Sequence, residues 1–246
     1  MFSIFKKKYN GKIDLSALQT DMHSHLLPGI DDGATDVNNS IELIKGLEDL
    51  GYQKFITTPH IFQDMYKNDA ESIGRAYDIL AEEKTRLAID TPITAAAEYY
   101  LDDHFDTLLA NKTPLLTLKD NLVLVEFSFI NAPINYKSQL FQLQIQGYQP
   151  VLAHPERYIY LDRNRMVYDE LKDAGCLLQL NILSLAGHYG RPTQELAQYL
   201  LKKQYINFLG TDLHHLRHLD ALRNAAGIMP LVNDLLQSGR LLNPSL

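Results

Sequence analysis

A chain of 246 residues with 46% hydrophobic and 22% charged side chains can bury a substantial core as one globular domain. Its single cysteine, Cys176, excludes an internal disulfide framework and leads us to expect a reducing, cytoplasmic location. A net charge of −7 argues against nucleic acid as the main partner, because that binding relies on excess Lys and Arg.

Residues 1–15 read as an appended, solvated arm carrying Lys6, Lys7 and Lys8, ahead of one domain over 16–246. The arm has no apolar h-region, so it is not read as a signal peptide. No apolar run approaches the ~18–20 residues of a membrane span.

After the arm, buried strands are expected at 20–24, 54–58, 93–98, 122–127, 150–153, 177–181 and 206–210. Runs such as Phe55-Ile56-Thr57-Thr58 and Leu122-Val123-Leu124-Val125 show little alternation, as strands covered on both faces do. Helical stripes lie between them. Ile41, Leu43, Ile44, Leu47 and Leu50 form one, ended by Gly51; Leu140 and Leu143 mark another, and Leu196, Tyr199 and Leu200 a third. Seven strands over this length give about 35 residues per unit, the size of a βα repeat, and that order implies a parallel sheet.

The strand ends carry the chemistry. His23-Ser24-His25 ends the first, Pro59-His60 the second, Glu98 the third, Glu126 the fourth and His154-Pro155 the fifth. Asn181 ends the sixth and Asp212-Leu213-His214 follows the seventh. In a β/α barrel these positions converge at one rim, whereas an open sheet would leave the first and last apart. A seven-stranded, TIM-like (β/α) barrel is therefore expected.

Each residue alone has an ordinary structural reading; it is their register that points to a metal site. Side chains two apart on a strand share a face, which aligns His23 with His25 and Asp212 with His214. Imidazole and carboxylate together suit Zn, Mn or Fe. With Asp32 added, the donors exceed what one ion needs, so two or three ions are expected. The spacing alone leaves Asp31 and Asp32 both open.

These residues resemble a known family. Asp21-Met-His-Ser-His-Leu-Leu-Pro-Gly-Ile-Asp-Asp-Gly-Ala34, Thr57-Thr-Pro-His60, Ala97-Glu98-Tyr-Tyr100, Leu152-Ala-His154-Pro-Glu-Arg157 and Gly210-Thr-Asp212-Leu-His214 look like the polymerase-and-histidinol-phosphatase (PHP) superfamily. The branch they resemble most is the manganese-dependent protein-tyrosine phosphatases of bacterial capsule and exopolysaccharide synthesis. The resemblance runs from about Asp21 to the seventh strand. It implies a distorted seven-stranded barrel with three ions: one on His23, His25, Glu98 and Asp212; one on Glu98, Glu126 and His154; and one on Asp32, His60 and His214. It also implies manganese, with Fe, Zn or Mg as other possibilities, and a phosphate-gripping arginine at Arg157. Arg217 is the nearest match to a second such arginine, although its local spacing differs. The implied substrate is a phosphotyrosine protein, such as a tyrosine autokinase of polysaccharide export, attacked by a water made acidic by coordination.

Ile182 stands six residues after Cys176, where a cysteine phosphatase needs Arg, so Cys176 is read as core. Neither a serine-hydrolase elbow nor a P-loop occurs. A histidinol-phosphatase-like enzyme and a C–N-cleaving amidohydrolase are the remaining alternatives. His104, His188, His215 and His218 are read as surface or supporting residues, and Asn181 and Tyr100 as structural.

Overall fold

The structure is a computed structural model and describes residues 11–246; Lys6–Lys8 lie outside them. In chain order the elements are β1 (Thr20–Asp21), α1 (Val37–Asp49), β2 (Lys54–Thr57), β3 (His60–Ile61), α2 (Ala70–Arg86), β4 (Ile93–Ala95), β5 (Glu98–Tyr100) and α3 (Asp103–Ala110). There follow β6 (Leu122–Glu126), α4 (Tyr136–Ile145), β7 (Gln149–Ala153), α5 (Met166–Asp173), β8 (Leu177–Asn181) and α6 (Ile182–Ala186). The chain continues through α7 (Arg191–Lys203), β9 (Ile206–Gly210), α8 (Leu216–Arg223) and α9 (Met229–Gln237).

Helix starts follow local chemistry. The Asp36 carboxylate accepts from Asn39 N to cap α1, Asp69 and Ser72 form a reciprocal box on α2, and Asp102 caps α3. Gly51 follows the end of α1 with φ +100°, as expected of a helix-ending glycine. Among the described residues no helix is long and apolar enough to cross a membrane.

All strand pairs are parallel, but they form two sheets, β1-β2-β4 and β3-β5-β6-β7-β8-β9. This differs from the expected single run of seven: β3 is an additional strand beyond the expected 54–58, and the expected 93–98 gives way to β4 and β5. Pro59 supplies the reason. In the register that pairs Thr57 with Ala95, the next donor towards the neighbouring strand would be Pro59, which has no N–H. Acceptors on the same edge still serve, since Thr57 O accepts from Ala96 N and Pro59 O from Glu98 N.

No ladder joins the first and last strands. They meet through Asp212 N donating to His23 O at 2.7 Å, His25 N to Leu213 O at 2.9 Å, and side chains. The buried Asp21 carboxylate accepts from Thr211 N and Oγ1. Asn243 Nδ2 donates to Thr20 O and Leu209 O, while its Oδ1 accepts from Leu209 N.

The main core packs helices against strands and includes Ile13 and Leu15, from the segment read as the end of the arm. A second apolar cluster comprises Met22, Ile56, Ala96, Leu118, Leu124, Val151, Ala153 and Phe208, contributed largely by the strand segments. Ala96 and Glu98, like Leu124 and Glu126, are two apart, so these carboxylates sit one layer beyond that cluster.

Candidate metal centre

The expected ligand residues converge. Donor atoms of His25, Asp32, His60 and His214 lie within 4.8 Å of one another, as do those of His23, Glu98, His154 and Asp212, and those of His60, Glu98 and Glu126. Glu98 is central: its carboxylate lies 3.2 Å from His23 Nε2, His60 Nδ1 and His154 Nε2, and 3.5 Å from His25 Nε2. The groups overlap but are cut differently from the three ligand sets of the resemblance. His25 falls with Asp32, His60 and His214 while lying 3.5 Å from both Glu98 and Asp212, and His154 falls with His23.

Two of these residues depart from strand geometry. His154 has φ +32° and Asp212 φ +50°, a left-handed backbone that costs a non-glycine residue on the order of 1 kcal/mol or more. After inward Val151 and Ala153, strict alternation would send His154 to the other face; the left-handed turn brings it back. Gly210 lets the last strand approach the first: a Cβ there would lie 2.8 Å from His23 Cβ and 2.6 Å from Gln179 Nε2.

Neighbours fix the rings. Gln179 Oε1 lies 2.9 Å from His23 Nδ1, Asp31 Oδ2 lies 2.9 Å from His25 Nδ1, and Asp212 O lies 2.9 Å from His214 Nδ1. Oxygens of these kinds accept, so each Nδ1 carries the proton and each Nε2 turns its lone pair to the centre. Asp31 also accepts from Gly33 N and His60 N, whereas Asp32 Oδ1 lies 3.5 Å from both His60 Nε2 and His214 Nε2. The two aspartates are thus distinguished by what they face.

This donor set fits cations. Lone pairs of imidazoles and oxygens of carboxylates point at one another, and both Glu98 oxygens are buried without a hydrogen bond among the described residues. Burial raises the Glu98 pKa, and positive charge at His23 and His60, which bound cations would supply in place of ring protons, pulls that carboxyl well below its usual range. Glu126 is pushed well above its usual range, first by burial and then by the charges of Glu98 and Asp212. Divalent ions would relieve that excess of negative charge.

Arg157 stands at the edge of this centre. Its Nη1 donates to Asp212 Oδ2 at 2.6 Å, and the guanidinium lies over the rings of Phe129 at 4.6 Å and Tyr189 at 4.4 Å. Glu156 is engaged elsewhere, accepting from Asn181 N and Ser184 Oγ, and Asp162 pairs with Arg165. Arg217 is exposed on the first turn of α8, where with His214 and His215 it lines an open cleft of about 510 Å³.

Several contributors were not anticipated. Gln179 was passed over inside an apolar strand, although a lone amide in such a run was the available signal. Asn181, read as structural, caps α6 and also donates to Asp212 Oδ2 and Tyr189 OH, each at 3.1 Å. Phe129 and Tyr189 carried no sequence signal. Tyr100 stacks on Phe62, and His218 packs beside His188, His214 and His215. Cys176 is buried.

The fold and centre together define a parallel α/β protein with clustered His/Asp/Glu side chains that could hold metal ions. Residues 19–225 match the family model for capsular polysaccharide synthesis, CpsB/CapC, and the chain belongs to that family. It is 34% identical to the tyrosine-protein phosphatase YwqE of Bacillus subtilis over 80% of this chain and 78% of that protein. It is 29% identical to the tyrosine-protein phosphatase CpsB of Streptococcus pneumoniae over 80% of this chain and 83% of the other. Its fold matches a chain from the crystal structures of YwqE from Bacillus subtilis and CpsB from Streptococcus pneumoniae, described as unique metal-dependent tyrosine phosphatases. That match has a TM-score of 0.76 and 30% identity, and covers 84% of each chain.

Proposed function

We propose that this protein is a metal-dependent protein-tyrosine phosphatase, hydrolysing phosphotyrosine in proteins of capsule or exopolysaccharide synthesis. The observation that carries the reading is Glu98: a buried carboxylate with no hydrogen bond, faced by four imidazoles and one layer above an apolar floor.

His23, His25, Asp32, His60, Glu98, Glu126, His154, Asp212 and His214 would hold two or three ions, manganese being the proposed metal. Such ions supply Lewis acidity at the phosphoryl oxygens and lower the pKa of a coordinated water from 15.7 to about 7. The chain's own contribution is placement. Gln179 and Asp31 hold the His23 and His25 rings by Nδ1, so that each turns Nε2 inward. Arg157 presents a fork suited to two phosphoryl oxygens, and its charge opposes the negative charge that builds there as the ester bond breaks. Arg217, which lines the open cleft beside His214, is proposed as a second phosphate contact.

The proposal extends to the architecture and setting. The two sheets are taken as one distorted barrel of seven βα units, forming a PHP-type domain over 16–246 behind the 1–15 arm, whose last residues, Ile13 and Leu15, pack into the domain core. The site is proposed to work in the cytoplasm on a tyrosine autokinase of polysaccharide export.

The test is metal content and turnover on one preparation, with a phosphotyrosyl peptide, a phosphoseryl peptide and histidinol phosphate as substrates. Two or three bound ions per chain, loss of turnover on chelation and preference for the phosphotyrosyl peptide are expected. Full turnover after metal removal, or preference for histidinol phosphate, would overturn the reading.

A further inference from the structure

The Arg157 guanidinium is held on three sides. Phe129 covers one part of it at 4.6 Å, Tyr189 another at 4.4 Å, and Nη1 is tied to Asp212 Oδ2 at 2.6 Å. Tyr189 is itself anchored, because Asn181 Nδ2 donates to its hydroxyl and also to that same Asp212 oxygen. Phe129 is anchored by stacking on His154 at 5.5 Å. No other side-chain nitrogen of Arg157 has a hydrogen-bond partner among the described residues, and the side chain keeps 23% of its surface exposed.

A free arginine samples many rotamers and loses that freedom when it grips an anion, which weakens binding. Here two aromatic faces and one charged hydrogen bond already hold the group, leaving the rest of the fork unsatisfied beside the metal centre. We propose that Phe129 and Tyr189 are positioning residues that pre-set Arg157 for the substrate phosphate, with Asn181 tying Tyr189 to Asp212. This rests on the reading of Arg157 as a phosphate contact. It adds that the loop after β6 and the turn before α7 control turnover without touching phosphorus.

Tyr189→Leu and Phe129→Leu remove a ring while keeping apolar bulk. Each would be made in the wild-type and Arg157→Lys backgrounds, and measured for metal content, melting temperature, kcat and KM on a phosphotyrosyl peptide, and inhibition by inorganic phosphate. Each leucine variant should keep its metal and lose roughly three- to tenfold in kcat/KM, with weaker phosphate inhibition. Phe129→Tyr should recover most of that loss, and Tyr189→Phe, which keeps the ring but loses the hydroxyl that Asn181 holds, only part of it. In the Arg157→Lys background the leucine changes should cost little more, because the group they position is gone. Phe129 is 46% exposed, so Phe129→Leu carries the test even if Tyr189→Leu loses its fold. Additive losses on Arg157→Lys, or wild-type turnover in Phe129→Leu beside an impaired Arg157→Lys, would overturn the positioning role and leave Arg157's own role standing. An unimpaired Arg157→Lys would overturn both.

Discussion

The amide oxygen of Gln179 lies 2.9 Å from His23 Nδ1 and also accepts from His154 N at 3.1 Å, so one side chain orients two residues of the metal centre. Gln179→Leu deletes that acceptor inside the sheet. A chelator-competition titration should show metal affinity reduced about 10–100-fold, the usual cost of losing a partner that orients a ligand. Gln179→Glu keeps an acceptor and should lose less. Equal affinity in Gln179→Leu and wild type would show that the His23 ring needs no such support.

Glu98 and Asp32 should differ in consequence. Glu98 is fully buried and faces four imidazoles, while Asp32 is 49% exposed at its side chain and faces two. Glu98→Gln keeps the shape and removes the charge, so after dialysis it should retain fewer ions per chain than Asp32→Asn. The reverse order by elemental analysis would overturn the reading in which Glu98 is shared between two ions.

Cys176 should be chemically silent. Burial pushes its thiol up to about 12, so at pH 8 only about one molecule in ten thousand carries the reactive thiolate. Iodoacetamide should label it only after unfolding, and Cys176→Ala should keep turnover. Loss of chemistry in a folded Cys176→Ala variant would contradict hydrolysis without a cysteine nucleophile.

Asn243 is the stability prediction. Replacing it with Ala leaves Thr20 O, Leu209 N and Leu209 O without their side-chain partner, at about 1–3 kcal/mol for each buried group not otherwise satisfied. Denaturant titration should show a lower midpoint with an unchanged slope. An unchanged midpoint would mean that water replaces the amide without loss.

The convergence of the His, Asp and Glu side chains was legible because residue types able to bind metal are few and cluster where strands end. His23, His25, His60, Glu98, Glu126, His154, Asp212 and His214 could be collected by residue type and spacing alone. What escaped depends on three-dimensional detail. Pro59 stood in plain view, but its effect on the ladder requires knowing which edge of β2 faces β4. The left-handed turns at His154 and Asp212 break the period of two on which strand reasoning rests. Asp31 and Asp32 are adjacent and chemically alike; only the fold shows that one grips the back of a histidine and the other faces two rings. Phe129 and Tyr189 meet Arg157 across loops, where no periodicity applies.

The contacts joining the two ends of the sheets have a kinetic consequence. Asp21 meets Thr211 across 190 positions and Asn243 meets Thr20 across 223. Such distant partners are slow to find one another, and during synthesis the first strand must wait for nearly all of the chain to emerge. His23 and Asp212 belong to opposite sides of that late seam, so the complete set of donors exists only after it closes. Metal capture should therefore lag behind secondary structure in refolding, and its rate should report the closing step.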